Sequence, residues 1–134
     1  MEVYDSQYLN SVFFPEQELI ELTWKPSTDK MTEEEYKQEV LNFNDVVSKY
    51  CPKKILVDAS SMFFVVVPEL QEWTSRESIA VSLSVGMNKS AFVVSKDLFS
   101  QVSIEQTMDE EVGSIFINRY FDDKEDAKKW LLSL

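Results

Sequence analysis

Residues 32–58 read TEEEYKQEVLNFNDVVSKYCPKKILVD, and the change of apolar period inside this stretch decides the fold class. Tyr36, Val40, Phe43, Val47 and Tyr50 follow one another at spacings of four, three, four and three, the repeat of one helix face. Glu34, Lys37, Gln38, Glu39 and Asp45 read as the solvated face of the same helix. Thr32 with Glu35 is a capping-box pattern at its start, and Pro52 ends it. Ile55-Leu56-Val57 then reads as a buried strand, closed by Asp58-Ala59-Ser60-Ser61. A helix feeding directly into a buried strand is half of a β-α-β unit.

On the N-terminal side, Ser11-Val12-Phe13-Phe14 and Leu19-Ile20-Glu21-Leu22-Thr23-Trp24 flank Pro15-Glu16-Gln17-Glu18 and read as an opening hairpin. On the C-terminal side, a second helix is predicted from Pro68, which suits the first helical position. It runs through Leu70, Trp73, Ala80 and Leu83 towards Gly86 as C-cap. Its middle is rich in serine and threonine, so packing rather than propensity must hold it. Ala91-Phe92-Val93-Val94 reads as a buried strand, with Ser95 as N-cap of a third helical region over about 96–111 that is interrupted near Ser103, where Ser103 and Gln106 form another capping pair. Residues 114–121 form the last predicted strand. Asp122 with Glu125 caps a final helix carrying Ala127, Trp130, Leu131 and Leu134 on one face.

The predicted order is β-β-α-β-α-β-α-β-α over a single domain, residues 1–134, with a mostly parallel sheet and about four covering helices. The opening hairpin places an antiparallel N-terminal strand at the sheet edge. An apolar fraction of 44% gives such a chain an ample core.

Composition excludes several chemistries. The chain has no histidine, one cysteine and two glycines among 134 residues. It therefore lacks the usual general base near neutral pH and the commonest metal ligand. Gly86 and Gly113 are isolated, so no glycine-rich loop cradles a phosphate. No Asp-x-Asp-x-Asp-Gly loop points to calcium. The expectation is a non-enzymatic protein with no cofactor, no metal and no catalytic residues. Cys51, at a helix C-terminus, is not placed for thiolate chemistry. An unpaired cysteine, no signal-type N-terminus and no long apolar run point to a cytoplasmic protein without a membrane span. A net charge of −11 disfavours direct nucleic-acid binding and is read either as solubility or as docking onto a basic partner.

Several strings together resemble a family of small bacterial STAS-like proteins with the SpoIIAA-like fold of the sporulation anti-anti-sigma factor. They are Met31-Thr32-Glu33-Glu34-Glu35-Tyr36, Pro52-Lys53-Lys54-Ile55-Leu56-Val57-Asp58 and Pro68-Glu69-Leu70-Gln71-Glu72-Trp73, followed by Ala91-Phe92-Val93-Val94-Ser95-Lys96-Asp97, Ser103-Ile104-Glu105-Gln106-Thr107-Met108 and Arg119-Tyr120-Phe121-Asp122-Asp123. The resemblance implies an α/β architecture and a regulatory role in protein–protein interaction. In the anti-anti-sigma branch a serine at the start of the helix after the third strand is phosphorylated. Here that start reads Val66-Val67-Pro68-Glu69, and only Ser60 and Ser61, earlier in the loop, stand as candidates. The fold group's link to lipid-transfer domains implies a small apolar ligand or lipid as the alternative.

Met62-Phe63-Phe64-Val65-Val66-Val67 is six apolar residues in the loop after the third predicted strand. Loops beyond the carboxyl ends of strands line the ligand crevice of open α/β sheets. Met62, Phe63, Phe64, Val65 and Val66, with Trp73 of the next helix, are the candidate surface for a protein partner, a second copy in a homodimer, or an apolar ligand. The competing reading folds this loop over the core. Asp58 is read as a turn or capping residue.

Overall fold

The fold is described from a computed structural model, over residues 1–95 and 117–133. Six strands form one sheet in strictly sequential order: β1 (Glu2–Asp5), β2 (Leu9–Phe14), β3 (Leu19–Trp24), β4 (Lys54–Asp58), β5 (Lys89–Val93) and β6 (Ile117–Phe121). β1, β2 and β3 pair antiparallel. From β3 to β6 every pairing is parallel. The α/β class and the mostly parallel sheet are as expected from sequence.

Helix α1 (Glu33–Tyr50) connects β3 to β4 and α2 (Pro68–Ser84) connects β4 to β5. Both pack on one face of the sheet, so the two crossovers have the same hand. Thr32 caps α1 in a complete capping box: its hydroxyl accepts from the Glu35 N–H, and the Glu35 carboxylate accepts from the Thr32 N–H. The helix ends at Cys51, in the left-handed region at φ 50°. α2 starts with Pro68 in its first turn, and Gly86 follows its C-terminus at φ 76°. Helix α3 (Lys124–Leu132) lies on the opposite face.

The alternation of the strands divides the interior into two cores. Leu9, Ile20, Leu22, Trp24 and Ile55 face α1 and α2, meeting Tyr36, Val40, Phe43, Val47 and Leu70. Leu19, Leu56, Ala91 and Val93 face α3, meeting Ala127 and Leu131. Leu9, Leu19, Ile20, Leu56 and Leu131 are fully enclosed, each worth about 1.5–3 kcal/mol of burial.

Three details correct the sequence reading. β1 was not expected, and because it pairs with β2 the strand containing Ser11–Phe14 lies inside the sheet rather than at its edge. Three helices are described; the region over 96–111, with the Ser103–Gln106 pair, lies outside the described residues, as do 114–116 and Leu134. α3 is capped by Asp123, whose carboxylate accepts from the Glu125 and Asp126 N–H groups, rather than by Asp122. Glu39 is buried, not solvated.

Candidate interaction surface

The chain leaves β4 through a turn made by Asp58. Its Oδ1 accepts from the Ser60 N–H at 3.0 Å and from the Ser60 hydroxyl at 2.6 Å, the local bonding expected of an aspartate in a turn. Residues 62–67 then run without helix or sheet pairing as far as α2. Their burial alternates. Met62, Phe64 and Val66 are half-buried against the α1–α2 core, whereas Phe63 (64% exposed), Val65 (78%) and Val67 (46%) point outward. A two-residue period is that of an extended chain with one side on a core.

Several ties hold this segment in place. The Phe63 N–H donates to the Thr28 hydroxyl oxygen at 2.9 Å, and that buried hydroxyl donates to the Lys25 carbonyl at 2.8 Å. The Phe64 ring stacks on Tyr36 at 5.1 Å, and Tyr36 stacks on Trp24 at 5.7 Å. Rings from β3, α1 and the loop thus form one pile. The Thr74 hydroxyl spends its proton on the Leu70 carbonyl at 2.8 Å, so the Tyr36 hydroxyl is the donor in their 2.9 Å contact. Burial pushes the Tyr36 hydroxyl above its ordinary pKa. At the far end the Gln71 side-chain amide donates to the Val66 carbonyl at 3.0 Å, and the Leu70 and Gln71 N–H groups donate to the Val67 carbonyl. Between these anchors, the N–H groups of Phe64, Val65 and Val66 and the carbonyls of Phe63, Phe64 and Val65 have no hydrogen-bond partner among the described residues.

The residues singled out from sequence are therefore sorted by this alternation. Phe63 and Val65 are outward; Met62, Phe64 and Val66 are inward anchors. Trp73 is half-buried against the same core, with the Lys37 ammonium 5.4 Å from its ring centre. Ser60 is exposed but bonded to Asp58, and Ser61 is half-buried. A phosphate on Ser60 would set a dianion against the Asp58 carboxylate. Val67, Thr28, Glu69 and Glu72 were not singled out. Val67 continues the alternation and was legible; Thr28 acts through a contact 35 residues away that leaves no local signal.

α2 adds more exposed apolar surface. Only Leu70 and Ser82 of this helix are buried, while Ile79 and Leu83 stand on its outer side. Along its first turns, Pro68, Glu69, Gln71, Glu72 and Ser75 line a shallow, open depression.

Two carboxylates sit elsewhere in the interior. Glu39 accepts from the Tyr4 hydroxyl at 2.9 Å and from the Ser6 hydroxyl. Ser6 also accepts from the Tyr8 and Leu9 N–H groups, so this network ties the β1–β2 turn to α1. Glu21, buried on the α3 face of β3, has Lys124 Nζ 3.1 Å from Oε1 and Lys128 Nζ 3.0 Å from Oε2. The Lys128 contact lacks hydrogen-bond geometry and is an ion pair only. Both carboxylates are matched to structural partners. Among the described residues, no group of three or more Cys, Asp or Glu is placed to hold a metal ion. None of the described helices is long and apolar enough to cross a membrane. No protein-family model, curated protein or solved structure matches the chain.

Proposed function

We propose that this is a non-enzymatic regulatory domain of STAS-like architecture, acting through non-covalent protein docking at residues 63–67 and the start of α2. One observation carries the reading: an anchored segment holds Phe63, Val65 and Val67 outward although a core lies on its other side. Three apolar side chains fixed in water on one short segment are stabilised by a partner that covers them. The sequential β-α order and the opening hairpin support the architecture. The alternative of an apolar ligand is not favoured by the adjacent depression, where two of five lining residues are glutamates.

The test is a Phe63→Ser/Val65→Ser double variant, since both side chains are exposed. It should keep the circular dichroism spectrum and melting temperature of the parent while losing a protein captured by the parent from source-cell extract. Unchanged capture, or a variant that no longer folds, would overturn the reading.

A further inference from the structure

Resting on the docking reading above, we propose that residues 63–67 recruit an extended, lysine- or arginine-bearing peptide segment of a partner protein by pairing with it as an added strand. Exposed apolar side chains alone do not specify how they are covered. The backbone does. Among the described residues, the N–H groups of Phe64, Val65 and Val66 and three neighbouring carbonyls lack partners, and an extended chain is the structure that satisfies N–H and carbonyl groups in alternation. Such an unpaired, apolar, extended edge is a template for another strand. Thr28 at one end and Gln71 at the other hold it open, so little ordering is left for the partner to impose.

Charge selects the occupant. Glu69 and Glu72, both exposed, line the depression immediately beyond the segment. A second copy would bring the same carboxylates and the same net charge of −11 to the contact, whereas a cationic peptide would meet opposite charge. The partner strand would set apolar side chains against Phe63 and Val65 and direct its cations towards Glu69 and Glu72.

The probe is a short acetylated, amidated peptide alternating lysine and valine, added to the full chain, with amide hydrogen exchange as the readout. Exchange at Val65, or at the Phe64 and Val66 pair on the other edge, should slow roughly tenfold or more. The protection should be lost when the peptide is N-methylated at every second residue in one of the two registers. It should weaken in Glu69→Gln/Glu72→Gln and be absent with a glutamate–valine peptide. No protection by the lysine–valine peptide, or protection surviving N-methylation in both registers, would overturn the proposal. So would protection that appears without peptide and grows with protein concentration, the mark of a second copy. If the lysine–valine peptide gives no protection but Phe63→Ser/Val65→Ser still loses partner capture, docking stands and only strand pairing falls. If capture also survives the double variant, both fall.

Discussion

Glu21 is the side chain whose surroundings depart furthest from its type, a carboxylate in the centre of the α3 face of the sheet. Two lysines from one helix compensate it, so the residue ties α3 to β3. Removing one partner of a buried pair leaves the other uncompensated. Glu21→Gln should lower unfolding stability by about 1–3 kcal/mol, read as an earlier urea midpoint. Lys124→Met should cost less than about 1 kcal/mol, because Lys124 is largely exposed and Lys128 remains. Glu35 gives a pH signature instead. The backbone N–H of Thr32, and then the Tyr8 hydroxyl, hold its carboxyl below the usual carboxylate range. The folded value lies below the unfolded one, about 4.3. Its contribution to stability is therefore present above that pH and lost as pH falls through the lower folded value. Glu35→Gln, which retains a capping-box side chain, should flatten the fall of melting temperature below about pH 4.5. At this scale the sequence was a partial guide. The Thr32–Glu35 pair was readable because its signal is local. The charge of Glu39 suggests the solvated face, but three residues after Tyr36 and four before Phe43 it lies on the inward stripe, where Tyr4 and Ser6 supply the hydroxyls it needs.

At the scale of elements, α1 and α2 contrast. α1 has a complete box, four inward apolar residues and a left-handed C-cap, and its 3.6-residue period made it legible from sequence alone. α2 buries only Leu70 and Ser82, and its start was readable from Pro68 rather than from periodicity. Leu70→Ala should therefore cost about 2–4 kcal/mol, and amide exchange should be faster through α2 than through α1. Gly86→Ala places a side-chain-bearing residue at φ 76°, with its Cβ 2.9 Å from the Lys53 ammonium. That ammonium ends a flexible chain and can withdraw, so backbone strain sets the loss, about 1–2 kcal/mol. β1 escaped sequence reading because Glu2-Val3-Tyr4-Asp5 offers only two apolar residues. It becomes a strand through pairing with β2 and the anchoring of Tyr4 to Glu39, information held 35 residues away.

At the scale of the whole molecule, 24 acidic groups against 13 basic ones make self-repulsion a standing cost of compactness. Added salt at about 0.3 M, with a Debye length of roughly 5–6 Å, should raise the melting temperature despite weakening individual surface pairs. The candidate site was half legible at this level. A six-residue apolar run after a strand marked the place, because neither a turn nor a helix start calls for such residues. Which of the six face outward depended on Tyr36, Trp24 and Thr28 gathering from three other parts of the chain, and no local pattern encodes that.

Cys51 sits exposed just before β4, at the amino end of the strand whose carboxyl end leads to Phe63. The molecule thus carries a native attachment point across the sheet from its proposed docking edge. A maleimide fluorophore or nitroxide placed there would report tumbling and complex size without mutagenesis and without shadowing that edge.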